Sequence, residues 1–249
     1  MTQISDFSLK SVLRRTAVAA ATVAVCAGAS AALPDFTLNT AALAGGSTFT
    51  GNNILISDFS TVTNGAGGAF SETGFLSVSA FQNSSGATFI PTGLNSTYGQ
   101  YFAFSGAGTG STFTSLTYTL YGYNGTATFG FSGNTPTETA TGEVTLAHGS
   151  LISGSTGNTG GAPSANVTTT FIVDAPGFFT APSPFYNMAL AAFINTTSEV
   201  EAFDGGFRIR QGGGSINFTS TPAIPEPETY ALLLGGLAAV GFVARRRRA

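Results

Sequence analysis

Between residues 33 and 224 the sequence repeats one pattern, which limits the fold more than any other feature. Short runs rich in Phe, Tyr, Thr, Val and Ile alternate with clusters of Gly, Asn, Ser and Pro, without a helical stripe of useful length. This spacing is typical of a single antiparallel β-sandwich or jelly-roll-like domain, so we predict an all-β fold. The predicted strands are 54–59, 75–81, 98–104, 113–123, 126–131, 144–152, 167–173, 188–194 and the segment around Ile216 and Phe218.

Two local structures can be predicted more closely. Residues 153–164, rich in Gly, Ser and Thr, are expected to form a long surface loop. Asp204 and Gly205 suit the two-residue type I′ turn of a hairpin, which needs positive φ at both positions. That register pairs opposite charges, Glu201 with Arg208 and Glu199 with Arg210. The side chains on its core-facing side are Val200, Ala202, Phe207 and Ile209.

The cationic residues mark the two ends of the chain as separate segments. Seven of the nine stand there, namely Lys10, Arg14, Arg15, Arg245, Arg246, Arg247 and Arg248. An apolar run and then small residues follow the first three, as in a cleavable secretory signal peptide. We therefore expect residues 1–32 to be a signal-peptide helix, handled by the Sec translocon and signal peptidase, with the twin-arginine route as the alternative. Residues 33–220 are the exported body.

The tail, residues 221–249, combines three features in order. Pro225, Glu226 and Pro227 come first, then a 15-residue apolar run from Tyr230 to Ala244, then the four Arg residues. As a helix this run covers about 22 Å, against a hydrocarbon core of about 30 Å. We predict a short transmembrane helix at about 229–244, with an ordinary tail anchor as the alternative. The Arg cluster is expected to hold the C-terminus in the cytoplasm, which leaves the body outside.

This order of features resembles the PEP-CTERM sorting signal of Gram-negative bacteria. The resemblance implies recognition by an exosortase, a membrane transpeptidase or protease, with cleavage near the Pro-Glu-Pro motif. It also implies a precursor that spans the inner membrane and a processed form at the cell surface or in the extracellular matrix. Residues 33–37, 45–50 and 215–219 are similar to the flocculation-associated PEP-CTERM subfamily, which would imply cell aggregation and floc or biofilm formation.

The composition excludes several classes of function. One Cys and one His are too few for a disulfide framework or a Cys/His metal site. A pI near 5.0, with the basic residues at the ends, excludes a nucleic-acid binder. Neither common phosphate-binding loop occurs, so we expect no cofactor and no metal. The body carries nine carboxylates against two Arg, a net charge of −7, and its Ser-, Thr- and Asn-rich surface suits hydrated polysaccharide.

Few residues could perform catalysis. His148 is the one imidazole, and no Gly-x-Ser-x-Gly elbow occurs with it. Two carboxylate pairs could hydrolyse glycosides if they converged, Glu138 with Glu143 or Glu199 with Glu201. We expect structural or surface roles for all five residues, and hence no enzyme.

The leading hypothesis is a non-enzymatic surface or matrix protein that acts on cell aggregation through extracellular polysaccharide. A lectin-like module is the first alternative, in which exposed rings stack on sugars, with candidates Tyr98, Tyr101, Tyr121 and Tyr123. An ice-binding protein would instead use a flat Thr array, with candidates Thr117, Thr119, Thr126 and Thr128. A glycoside hydrolase is the last alternative.

Overall fold

Long strands joined by short turns account for most of the structure, a computed structural model that describes residues 33–43 and 46–220. The strands are β1 (Phe36–Asn39), β2 (Thr48–Gly51), β3 (Asn53–Asn64), β4 (Ala69–Gln82), β5 (Thr88–Phe89), β6 (Tyr98–Thr109), β7 (Thr112–Asn124), β8 (Phe129–Ser132), β9 (Thr135–Glu138), β10 (Val144–Thr159), β11 (Ala162–Thr170), β12 (Ile172–Val173), β13 (Phe179–Ala181), β14 (Met188–Ile194), β15 (Val200–Phe203) and β16 (Gly206–Thr219). Short 3₁₀ helices cover Thr40–Ala42, Ala66–Gly68 and Thr197–Glu199.

The predicted signal helix, the transmembrane helix and the Pro-Glu-Pro motif lie outside the described residues. Within 33–43 and 46–220, none of the helices has the length and apolar character needed to cross a bilayer.

The main sheet closes on itself. Its strands follow the order β11-β14-β16-β3-β4-β6-β7-β10, and β10 pairs back with β11. Every pairing in this circuit is antiparallel. The predicted all-β class is confirmed, and the arrangement is barrel- or sandwich-like. Each predicted run contains strand, although the run 126–131 enters β8 only at Phe129.

The predicted loop at 153–164 is wrong. Strands β10 and β11 continue through it, and the chain reverses at Gly160 and Gly161, which have φ of 62° and 90°. Residues Ser153 to Thr159 are Ser, Thr, Asn and Gly, so both faces of this strand are polar or small. Such a strand lacks the alternating apolar signal from which strands are recognised.

The register of the predicted hairpin is confirmed, but its turn type and the second ion pair are wrong. Glu201 lies opposite Arg208, and Phe203 opposite Gly206, which leaves a two-residue turn. Of the two turn residues only Gly205 has positive φ, at 85°, so the turn is not type I′. The predicted pair of Glu199 with Arg210 does not form. Glu199 lies in the 3₁₀ helix and accepts a hydrogen bond from Thr196 N at 2.7 Å, because strand β15 begins one residue later.

Aromatic rings fill one end of the closed sheet. Phe218 is fully buried, with its ring centroid 4.7 Å from that of Phe171 and 5.1 Å from that of Phe36. The small sheet β13-β1-β2 packs here and contributes Phe36, Phe49 and Phe179. We call this region the filled end, because edge-to-face ring contacts fill this part of the apolar core.

The hairpin of β8 and β9 lies against the outside of the sheet. The Phe129 ring packs on Tyr101 at 5.4 Å and on Phe59 at 5.8 Å between centroids. Thr61 Oγ1 donates to the Asn134 carbonyl at 2.5 Å, and Arg208 Nη1 donates to the carbonyl of Gly133 at 2.5 Å. This hairpin covers aromatic side chains that point away from the interior.

Candidate functional site: an acidic cavity

The opposite end of the closed sheet contains a partly open cavity of about 420 Å³. It reaches from the middle of the sheet to the turns that join β3 to β4, β6 to β7 and β10 to β11. Small residues at inward positions of β11 and β14 leave this space open: Ala165, Ala189 and Ala191. We call this region the cavity end.

Strand β3 changes character where it passes from one end to the other. Its buried side chains are Ile54 and Ile56 near the filled end, then Asp58 and Ser60 toward the cavity end. Because strand side chains alternate between faces, all four point to the interior. Glu72 on β4 also lines the cavity, one strand away, where it accepts a hydrogen bond from Ser60 Oγ at 2.9 Å.

Asp58 is buried, and Glu72 is half-buried at the wall of the cavity. Burial raises the pKa of Asp58 well above its ordinary value, and repulsion by Glu72 adds to this more than the Ser60 hydrogen bond lowers it. Burial also raises the pKa of Glu72 to about 7. Both Arg residues of the described chain contact Glu201 instead, Arg208 at 2.5 Å and Arg210 at 3.0 Å. Neither arginine neutralises the carboxyl pair.

Two oxygen atoms at the cavity have no hydrogen-bond partner among residues 33–43 and 46–220. They are Oδ1 of Asp58, a residue 3% exposed, and Oδ1 of Asn195, a residue 4% exposed. The amide of Asn195 is fixed from its other side, because Nδ2 donates to the Pro163 carbonyl at 3.0 Å. A buried acceptor without a donor costs about 1–3 kcal/mol, and such groups in native proteins call for an explanation.

The catalytic candidates from the sequence lie elsewhere. His148 Nδ1 is 2.7 Å from Asp174 Oδ2, and both side chains are substantially exposed. Glu143 accepts a hydrogen bond from the Tyr101 hydroxyl, and Glu138 accepts one from the amide of Ala140. In the described ranges, no three His, Cys, Asp or Glu side chains come together in a way that could hold a metal ion.

The lectin-like stacking candidates are packed into the protein. Tyr98, Tyr101 and Tyr123 are buried, and Tyr121 is half-buried with its ring 5.3 Å from that of Tyr101. Burial raises the pKa of Tyr101 far above its ordinary range, and its hydrogen bond to Glu143 raises it further. These rings therefore act in packing, and they form no exposed platform for a sugar.

Two of the Thr candidates, Thr117 and Thr128, lie in different parts of the fold. Thr128 bonds to Thr139 beside the β8–β9 hairpin, 3.0 Å between hydroxyl oxygens. Thr117 instead lies in a cross-strand row on the outer face of the closed sheet. The exposed members of this row, in register across β4, β6, β7 and β10, are Thr73, Ser105, Thr117 and Ser150. We call these four residues the hydroxyl row.

Sequence reasoning did not identify the cavity carboxylates. In the sequence, Asp58 and Glu72 were recognised only as two of the nine acidic residues of the body. A signal was nevertheless present, because Asp58 interrupts an alternating series that runs Ile54, Ile56, Asp58. A carboxylate at an inward position of a strand contradicts the pattern of the fold, which marks functional positions.

Residues 223–248 match the family model described as the PEP-CTERM protein-sorting motif. The resemblance predicted from the tail is therefore confirmed. The motif supports an exported protein that an exosortase sorts, with a membrane-anchored precursor and then display at the cell surface. No curated protein and no solved structure shows significant similarity to this chain.

Proposed function

We propose that this chain is a non-enzymatic surface or matrix protein that promotes cell aggregation, and thereby floc or biofilm formation, by contact with exopolysaccharide. The sorting motif at residues 223–248 carries the proposal, because it supports export and processing by exosortase. The three body segments that resemble the flocculation-associated subfamily agree with this function.

The hydroxyl row is the surface through which we expect the protein to contact the polysaccharide. It presents one hydroxyl on each of four neighbouring strands, and adjacent strands lie about 4.8 Å apart. Hydroxyl groups both donate and accept hydrogen bonds, as sugar hydroxyls do. The surrounding surface carries few charges, so a hydrated neutral or weakly charged polymer can approach without large electrostatic repulsion.

The first test follows the protein in its host, with and without the exosortase. A short epitope inserted between Gly160 and Gly161 marks the body at a turn, where the strands on either side stay intact. We expect the body to reach the surface or matrix, and the cells to aggregate, only when exosortase is present. A strain that lacks this chain but aggregates normally would contradict the proposal.

The second test removes the hydroxyl groups of the row with little change in side-chain volume. The variant combines Thr73→Val, Ser105→Ala, Thr117→Val and Ser150→Ala. A matched control removes four exposed hydroxyls from turns and ends of the fold: Ser84→Ala, Ser111→Ala, Thr141→Val and Ser220→Ala. We expect the row variant, and not the control, to co-sediment several-fold less with the host's purified exopolysaccharide. Equal losses in both variants would exclude the row as the contact surface.

A further inference from the structure

The cavity end combines three features that no part of the proposed function uses. It has a partly open apolar space, two inward carboxyl groups on neighbouring strands, and two buried acceptor oxygens without a donor among the described residues. We propose that this cavity binds a small amphipathic molecule, whose apolar body fills the space and whose cationic amine pairs with Asp58 and Glu72.

The charge of the ligand follows from what the protein lacks at this place. A buried carboxylate is strongly unfavourable unless a cation or several donors accompany it. The Ser60 hydroxyl lies between Asp58 and Glu72 and has one proton to donate to the pair. Both described arginines contact Glu201 on the outside. An ammonium group brings a positive charge and up to three donors, enough for both carboxylates and for Asn195 Oδ1.

The apolar character of the ligand follows from the walls. Rings and branched side chains surround the carboxyl pair, among them Leu76, Phe102, Phe104 and Ile216. A volume of about 420 Å³ lies toward the lower end of the roughly 300–1,000 Å³ of small-molecule pockets. A fully hydrated inorganic cation would leave these walls without contacts, whereas an aromatic or short aliphatic amine would cover them.

The absence of Trp from the sequence allows a direct binding measurement. Indole fluorescence then comes from the probe alone. The protein as its exosortase processes it is purified and titrated into three probes with the same ring system: tryptamine (cationic), indole-3-ethanol (neutral) and indole-3-propionate (anionic). We expect the fluorescence anisotropy of tryptamine to rise at the lowest protein concentration, that of indole-3-ethanol later, and that of indole-3-propionate not at all.

Isosteric variants separate charge from shape. Asp58→Asn and Glu72→Gln keep the side-chain volume, and we expect each to weaken tryptamine binding about tenfold or more with little effect on indole-3-ethanol. Asp174→Asn, an exposed carboxylate that pairs with His148, is the control and should change neither. Ala165→Phe fills the cavity and should abolish binding of both probes. Circular dichroism verifies that each variant is folded.

The pH dependence gives a second readout. Asp58 and Glu72 lie on neighbouring strands, opposite Leu76 and Val62 respectively, close enough to repel each other, and Glu199 adds repulsion at Asp58. Since the pKa of Glu72 is raised to about 7 while an alkylamine stays protonated, tryptamine affinity should increase as the pH rises through 7. The proposal fails if tryptamine does not bind, if the three probes bind equally, or if Asp58→Asn and Asp174→Asn behave alike. Calcium binding without tryptamine binding would also overturn it.

Discussion

The two ends of the closed sheet are built on the same strands but in opposite ways. At the filled end, β16 buries Phe218 and β3 buries Ile54, and rings from a separate small sheet complete the packing. At the cavity end, β3 carries Asp58, and β11 and β14 present alanines around an open space. Packed rings fill the first end, and the second departs from a stable core in its void and its two inward carboxyl groups. The departure points to a function, because unpaired carboxyls and voids reduce stability.

The largest effects should distinguish the two ends by packing. Phe218→Ala removes a fully buried ring that contacts Phe36 and Phe171, and should cost about 3–5 kcal/mol in the free energy of unfolding. Phe104→Ala removes a half-buried ring beside the cavity, where fewer contacts are lost, and should cost about half as much. Urea denaturation of both variants measures this. Equal costs would mean that the cavity end is packed as tightly as the filled end.

The next effect concerns charge inside the cavity end. An acid whose folded pKa lies above its unfolded value binds more protons when folded, so stability falls as the pH rises. For Glu72 the change from 4.5 to about 7 corresponds to about 3 kcal/mol, present below pH 4.5 and lost by about pH 7. We expect Glu72→Gln to unfold at higher urea than the parent at pH 8, and to match it at pH 4.

Asp58 and the parent protein provide two further tests of this interpretation. Asp58 shifts in the same direction, so Asp58→Asn should give a similar gain, and the double variant should gain less than the sum because the two carboxyls repel each other. If the stability of the parent is flat between pH 4.5 and 8, the two carboxyl groups do not destabilise the fold, and the contrast between the ends is one of packing alone.

The filled end was the more predictable of the two from sequence. Alternating runs such as Phe75 to Phe81, which ends in a ring that packs on Phe36, identified most strands, because each apolar side chain both signals its face and supplies the packing. Beside the cavity end, the pairing of Glu201 with Arg208 was predictable in the same way, from a short turn and opposite charges. Such local signals do not depend on distant parts of the chain.

The cavity end depends on contacts that are distant in sequence. The closure of the sheet rests on the pairing of β10 with β11, which runs through a polar segment that resembles a loop. The proximity of Asp58 to Glu72 depends on the register of β3 against β4, which places Asp58 opposite Leu76 and Glu72 opposite Val62. A single sequence contains the residues of this site but not the register that brings them together.

A smaller effect should come from adding volume. Ala165→Leu places methyl groups in the cavity and should stabilise the protein by up to about 1 kcal/mol, because new contacts form in existing space. Ala147→Leu adds the same volume at a fully buried position of the core, and overpacking there should cost about 1–3 kcal/mol. Thermal unfolding of the two variants provides the comparison. Destabilisation by both would indicate that the walls of the cavity end cannot accept added atoms.

The smallest effect should come from a carboxylate outside the sheet. Glu201 is partnered by Arg208 and Arg210, and the Arg208 hydrogen bond lowers its pKa. Solvent and salt screen exposed ion pairs, so Glu201→Gln should change the urea midpoint little and less still at high salt. Glu72→Gln makes the same chemical change inside the cavity, with the opposite sign and a larger size. If the exterior variant shifted stability as much as the interior one, position in the fold would not decide the effect of a carboxylate, and the difference between the two ends would lose its electrostatic basis.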